Sequence, residues 1–142
     1  MSLATYDASK LVMVFAGIPI TGFADGTFVS IDNNEEAFSL MVGSDGDACR
    51  SKSNNFSARI TFTLGQWSAS NNLLSALHTL DVEGVTEGIG PMLVKDLSGT
   101  SIFACEKAWI VKAPVAAFGR EADNREWVLE TNDIKRLDGS QL

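Results

Sequence analysis

The chain has 142 residues, 45% of them apolar, with a formal net charge of −7 and a sequence pI near 4.5. This length and composition fit one domain with a real hydrophobic core. The acidic balance argues against tight nucleic-acid binding, which needs a basic surface to displace counterions. No apolar run approaches 18 residues, and the first residues lack the basic-then-apolar order of a signal peptide, so we expect neither a membrane-spanning helix nor an export signal.

Short strands are predicted in the first part of the chain. Residues 11–16 form a nearly continuous apolar run, which Gly17 and Pro19 interrupt as a turn or a strand end would. Residues 27–31 then alternate in polarity. This pattern favours an early meander of antiparallel strands.

The next segment, residues 32–55, has polar ends around an apolar middle. Phe38, Leu40 and Val42 occupy one side of a predicted strand. The sequence GSDGD at residues 43–47 is typical of a turn, because its glycines readily take positive φ. We therefore expect a long hairpin or excursion from the core.

Charge changes sign abruptly along this excursion. Six acidic residues and no Lys or Arg lie between residues 11 and 49, and Arg50, Lys52 and Arg59 follow. Either these charges keep a solvated loop soluble, or acidic and basic parts steer one copy head-to-tail against another. On the second interpretation, the candidate contact residues are Glu35, Glu36, Asp45, Asp47, Arg50 and Lys52.

The clearest strand and the clearest helix occupy residues 56–80. Apolar residues fill every second position from Phe56 to Leu64, so one face of this strand packs on a core. The other face, which we expect to meet water or another subunit, carries Ser57, Arg59, Thr61 and Thr63. A helix is predicted from about Ser70 to Leu80, capped by Ser68 or Ser70. Its apolar stripe comprises Leu73, Leu74, Leu77 and Leu80.

Three more strands are predicted after the helix. Residues 91–95 and 101–112 flank a turn signal at 96–99 and therefore predict a hairpin. The last predicted strand covers residues 125–131, with Trp127 and Leu129 on one side and Glu126, Val128 and Glu130 on the other. Residues 138–142 are expected to fray.

The residues offer little for catalysis or metal binding. Cys49 and Cys105 lack CxxC spacing and are expected to be free thiols in a reducing cytoplasm. The single histidine, His78, lies between leucines, where packing is its usual role. GSDGD lacks the further ligands of a calcium loop, and no glycine pattern fits a phosphate-binding loop. We expect no catalytic residue, metal or cofactor, and we expect Trp67, Trp109 and Trp127 to be core or interface anchors.

Four scaffold motifs follow one another in a recognisable order. They are a Gly-x-Asp-Gly turn followed by basic residues, a Ser-Asn-Asn-Leu-Leu helix start, a VKDLSG hairpin and a Trp-Ile-x-Lys-x-Pro strand end. In this order the chain resembles the tail tube proteins of contractile-tailed bacteriophages, over roughly residues 10–132. Bacteriocin tubes and type VI secretion tubes share that fold.

The resemblance implies one tail-tube domain over residues 1–142, with a hairpin protruding at about 32–55. The implied fold is mainly β with one α-helix: an antiparallel β-sandwich or partial barrel flanked by that helix. Six copies would form a ring, and stacked rings would form a tube that encloses the tape measure protein and conducts double-stranded DNA without tight binding. The implied partners also include tail sheath, baseplate and tail terminator proteins, and the implied location is a virion tail made in the host cytoplasm.

In such a tube, the charged residues of the excursion become ring-stacking candidates. The face with Ser57, Arg59, Thr61 and Thr63 becomes a wall that meets the lumen or a neighbour, and part of the acidic set is expected to repel DNA phosphate. The alternatives are a bacteriocin or type VI secretion tube, a monomeric β-sandwich module that binds a small ligand or glycan through tryptophans, and a small hydrolase or isomerase.

Overall fold

The computed structural model describes residues 3–142, so residues 1 and 2 of the expected domain lie outside it. The described chain is mainly β with one α-helix, α1 at Ser70–Val82, and a 3-10 turn at Ala8–Lys10. Every pairing between its strands is antiparallel. The strands are β1 Leu11–Phe15, β2 Ile18–Pro19, β3 Val29–Asn33, β4 Phe38–Val42, β5 Ala48–Lys52, β6 Ala58–Gly65, β7 Gly90–Asp96, β8 Ile102–Lys112, β9 Asn124–Thr131 and β10 Lys135–Leu137.

One large sheet folds over a single core. Its strand order is β2-β1-β7-β8-β9-β6-β3, and β10 pairs with the first part of β8. Buried side chains from strands near both ends of this order, such as Phe15, Val94, Phe62 and Leu129, belong to one apolar cluster. The sheet must therefore curve around this shared core.

Strand β6 follows the predicted alternation closely. Ala58, Ile60, Phe62 and Leu64 are fully buried, and the residues between them face outward. Phe56 was expected on the buried face, but it precedes the strand and is exposed, and its carbonyl accepts a hydrogen bond from the Ile134 amide. The alternation between buried and outward-facing residues therefore begins at Ala58, where the ladder with β9 also begins.

The predicted early meander is only partly correct. Strands β1 and β2 pair through a tight turn at Ala16–Gly17, where both residues have positive φ. Strand β3, however, lies at the opposite end of the sheet beside β6. The connection is held there because Gly22 and Ala24 exchange backbone hydrogen bonds with Gly65 and Thr63 at the end of β6.

The helix covers less of the core than its leucines suggested. Leu74 is fully buried and Leu77 partly buried, but Leu73 and Leu80 of the predicted stripe are exposed. Because the helix lies against the short strand β2 at the end of the sheet, only a narrow line of its side chains is covered there. Asn71 anchors its first turn by accepting from Trp127 Nε1 at 2.9 Å and donating to the Gly65 carbonyl at 3.0 Å. Residue Ala69 occupies the cap position without a side-chain bond, while the predicted Ser68 hydroxyl accepts the Ser70 amide at 3.3 Å.

The C-terminal tail was expected to fray, and this prediction is wrong. Residues 139–142 bond to the β7–β8 turn through the Thr100 amide, the Ser101 hydroxyl and the Leu142 amide. The buried Asp96 carboxylate accepts hydrogen bonds from Ser98 Oγ at 2.6 Å and from Gln141 Nε2 at 2.9 Å. The tail is ordered because it satisfies a buried carboxylate, a tertiary contact that composition does not reveal.

These hydrogen bonds lower the pKa of the Asp96 carboxyl, chiefly the one from the Ser98 hydroxyl and then the one from Gln141. A folded-state pKa below the unfolded value means that the carboxylate stabilises the fold at neutral pH and loses this effect as pH falls through the folded pKa. We expect Asp96→Asn to lower Tm at pH 7, and the gap to wild type to shrink below about pH 4. Thermal unfolding by circular dichroism measures both values.

The matched control is Asp25→Asn, which removes an exposed carboxylate outside this network. It should change the free energy of unfolding by no more than about 0.5 kcal/mol. Equal Tm values for Asp96→Asn and wild type at pH 7 would contradict the stabilising role of the Asp96 network.

Candidate assembly surfaces

The described residues hold little that resembles a catalytic or metal centre. Residues 3–142 contain no group of three or more His, Cys, Asp or Glu side chains placed to hold a metal ion. Cys49 and Cys105 are free thiols on different strands, and burial raises the pKa of the Cys105 thiol. No helix in this part of the chain is long and apolar enough to cross a membrane. The candidate functional surfaces are instead a strand face, an exposed hairpin and a groove.

A polar face covers the outer side of four neighbouring strands, β3, β6, β9 and β8. Asp32, Arg59, Glu130 and Trp109 lie side by side in one row across these strands. Ser30, Thr61, Val128 and Lys112 form the next row, and Thr63 pairs with Glu126 beyond it. We call these ten residues the wall face. It carries three carboxylates against two cations, so its net charge is −1.

The structure places three of the four predicted wall residues on this face. Arg59 forms an exposed ion pair with Glu130 at 3.2 Å, and Thr61 and Thr63 are half-buried beside it. Ser57 lies before β6, where its hydroxyl donates to Asn55 Oδ1 at 2.6 Å and accepts from Asn34 Nδ2 at 2.9 Å. Ser57 thus belongs to the base of the protruding hairpin.

That hairpin consists of β4 and β5, a two-stranded sheet separate from the main one. All ten strand residues are exposed. One side combines Phe38, Leu40 and Val42, which are 44%, 69% and 58% exposed, with Arg50 and Lys52 from the facing strand. The Arg50 guanidinium lies 4.2 Å from the centre of the Phe38 ring. We call this side the apolar-basic face, and the opposite side carries Ser39, Met41, Cys49 and Ser51.

The six predicted contact residues all lie on this hairpin or at its base. Arg50 and Lys52 belong to β5, and Asp45 and Asp47 lie in the turn at its tip, where Asp45 Oδ1 accepts the Asp47 amide at 3.2 Å. Glu35 and Glu36 precede β4, and Glu35 accepts a hydrogen bond from Ser53 Oγ at 3.0 Å across the base. The acidic residues therefore lie at the tip and at the base of the hairpin, and the basic residues lie on strand β5.

A groove opens where the curved sheet fails to close, between β3 and strands β1, β7 and β8. It has a volume of about 1090 Å³. The apolar side chains lining it include Leu11, Phe23, Phe28, Val29, Ile31, Val94 and Phe103. Its polar lining includes Asp25, Arg136 and Asp138, and Trp67, which is 69% exposed, also lines it. We call this surface the seam groove.

An ion pair between two residues of the seam groove neutralises part of the charge there. Arg136 donates to both carboxylate oxygens of Asp138 at 2.9 Å and to Asn33 Oδ1 at 2.7 Å. The hydrogen bond from Arg136 lowers the pKa of Asp138, so this pair is ionised and nearly neutral as a unit. Asp25 remains the acidic residue of the groove without an ion pair among the described residues.

Sequence reasoning missed the seam groove and the exposure of the hairpin's apolar residues. Phe38, Leu40 and Val42 have the alternation of a buried strand, and only the absence of a covering layer distinguishes them. Residues of the groove come from six separate segments of the chain, so no local pattern marks it. Glu126 and Glu130 were correctly placed opposite Trp127, but the alignment of Glu130 with Arg59 and of Glu126 with Thr63 depends on the β6–β9 pairing.

Comparison with solved structures shows a shared fold at low sequence identity. The chain is similar to the tube-terminating cap of the anti-feeding prophage, with TM-score 0.63, 9% identity, and coverage of 96% of this chain and 93% of that one. It is also similar to the sheath/tube terminator of PVC, an extracellular contractile injection system, with TM-score 0.61, 10% identity and coverage of 96% and 99%. A chain of the PVC sheath-tube complex gives TM-score 0.60, 11% identity and coverage of 94% and 91%. The fold is thus one found among proteins of contractile injection systems.

Comparison of the amino-acid sequence with known proteins is more specific than comparison of the fold. A family model described as the bacteriophage PhiTE tail tube protein matches residues 18–139. Structural protein ORF10 of Pseudomonas phage KPP10 is 35% identical over 146 aligned positions, covering 97% of this chain and 84% of that protein. The chain therefore belongs to the phage tail tube family that this model describes. It is a structural component of the virion tail and not an enzyme, and the resemblance to tail tube proteins is confirmed.

The wall face should be nearly dispensable for folding. We expect Arg59→Ala to change the free energy of unfolding by less than about 1 kcal/mol, because its ion pair with Glu130 is exposed. Phe62→Ala, on the buried side of the same strand, should cost about 3–5 kcal/mol. Urea denaturation of the dispersed subunit measures both, and a comparable loss for the two variants would show that the wall face stabilises the fold.

Proposed function

We propose that six copies of this chain form a ring and that stacked rings form the inner tail tube. Family membership supports a tube, and the observation that carries the ring is the free edge of β3. Among residues 3–142 this strand pairs only with β6, so its other side presents backbone N–H and C=O groups without a partner strand there. Exposed strand edges readily accept a strand from another chain, and a closed ring of subunits removes every such edge.

In this ring, the wall face lines the lumen. Its net negative charge supports this orientation, because a negatively charged wall repels DNA phosphate and lets double-stranded DNA pass without sticking. Of the acidic residues between positions 11 and 49, Asp32 belongs to this face, and Glu126 and Glu130 join it from β9. Before infection, the same lumen holds the tape measure protein.

The outer surface of the tube is then formed by α1 and the loop after it. Residues 66–94 contain Asp81, Glu83 and Glu87 and no Lys or Arg, and Leu73, Leu80 and Val82 are exposed there. This acidic surface with exposed leucines suits contact with a surrounding sheath and with neighbouring subunits. Baseplate and terminator proteins cap the two ends of the stack in this arrangement.

The ring and its lumen are tested by purifying the chain and examining its assemblies. Light scattering after size-exclusion chromatography should give a species six times 15.2 kDa, about 91 kDa, or multiples of it. Cryo-electron microscopy should show tubes about 10 nm wide, as ring packing of domains of this size requires. A chain that stays monomeric at high concentration with an intact fold would contradict the proposed ring. A lumen lined only by neutral or basic residues would refute the assignment of the wall face to the lumen.

The hairpin connects one ring to the next. We expect the double substitution Arg50→Glu with Lys52→Glu to leave the subunit folded and to weaken stacking, since it reverses the basic part of the hairpin. The measurement is tube length in negative-stain micrographs, together with the ratio of free rings to tubes.

The matched control is Lys95→Glu with Lys107→Glu. It makes the same change in net charge at exposed sites of the main sheet. If the hairpin and control variants give tubes of equal length, net charge and not the hairpin governs stacking.

A further inference from the structure

We propose that the seam groove is the receptor for the hairpin's apolar-basic face, supplied by a second copy of this chain. This inference rests on the proposed self-assembly and deepens it, because it names the surface that receives the hairpin. Both surfaces are open within one molecule: the hairpin's strand residues are all exposed, and none of them lines the groove. The hairpin therefore makes this contact only with another copy.

The two sides of the hairpin differ enough to fix its orientation. The apolar-basic face presents Phe38, Leu40 and Val42 along about 13 Å of strand, at roughly 3.3 Å per residue. The opposite side presents mainly small polar groups with Met41. Burying the first side removes three large apolar side chains from water, whereas burying the second gains much less. The apolar-basic face is thus the one that enters an apolar site.

The seam groove has the size and chemistry to receive that face. Its 1090 Å³ exceeds the range of about 300–1,000 Å³ typical of small-ligand pockets, so it holds several side chains. Its apolar lining includes the half-buried side chains of Phe23, Phe28 and Ile31. With Arg136 already bonded to Asp138, the charge left over on the rim is the carboxylate of Asp25, which complements Arg50 and Lys52 on the entering hairpin.

The geometry of this pairing is head-to-tail. The surface that inserts and the surface that receives are different parts of the chain, so each copy uses both and the contact propagates. Such a contact produces closed rings if its rotation closes and an open stack if it does not. A copy at the end of a stack keeps one empty groove or one free hairpin.

Cysteine cross-linking between two differently labelled copies tests the pairing directly. Both copies carry Cys49→Ser, and the buried Cys105 is left in place. One copy carries Phe38→Cys, Leu40→Cys or Val42→Cys on the apolar-basic face. The other carries Ser9→Cys or Thr27→Cys, two exposed positions on the lip of the groove. The copies are mixed before assembly, oxidised mildly and analysed on non-reducing gels.

The matched control replaces the hairpin cysteine by Ser39→Cys, on the opposite side of the same strand. At least one cysteine of the apolar-basic face should form a mixed dimer about tenfold more efficiently than the control, because a disulfide requires Cα atoms within about 7 Å. Tubes without any preferred dimer would overturn the pairing and leave the proposed function standing.

The remaining outcomes also separate the two ideas. If the unsubstituted chain makes no tubes, a preferred dimer of the cysteine variants in concentrated solution supports the pairing while the proposed function fails, and the lack of any dimer overturns both. If the groove instead holds a small apolar ligand, the cysteine at Thr27→Cys in dispersed subunits resists a thiol reagent and forms no mixed dimer, which also overturns the pairing.

Discussion

A sheet that curves over one core without joining its ends is the constraint on which this structure depends. The buried sides of β6, β7 and β9 fill the interior, and Phe62, Trp127 and Leu129 are nearly or fully inaccessible to water there. The opposite ends of the sheet, β2 and β3, remain apart. That gap leaves a free strand edge, an apolar groove and a partly covered core in one region, all of which are liabilities in an isolated molecule.

Large apolar side chains are also exposed away from this gap. Leu40 and Met41 on the hairpin and Phe118 in the loop after β8 are among the most exposed large side chains. In an isolated molecule they invite non-specific association, and the proposed assembly would cover them with other copies of the chain.

The predictable part of the fold comes from local alternation. Strands β6 and β9 carry strict alternation, so their residues give their buried sides, and the turn signal between β7 and β8 predicts their hairpin. The placement of β3 and the order of the C-terminal tail depend on partners far along the chain, such as Gly65 for Gly22 and Asp96 for Gln141. Leu73 is exposed because the end of the sheet covers only a small part of the helix. The spacing of leucines along a helix does not indicate how much of that helix another element will cover. The charged candidates on the hairpin were found from charge alone, whereas the groove requires the whole topology.

The attachment of the hairpin also has a mechanical consequence. Its two legs continue from β3 and β6, which pair with each other over five residues. Tension on the hairpin pulls both strands the same way, so the bonds between them carry little of the load. The force passes instead to the ladder between β6 and β9, where eight registered residue pairs run from Ala58–Thr131 to Gly65–Asn124. These bonds lie across the pull and share it in shear, so the subunit resists extension through the longest ladder it has.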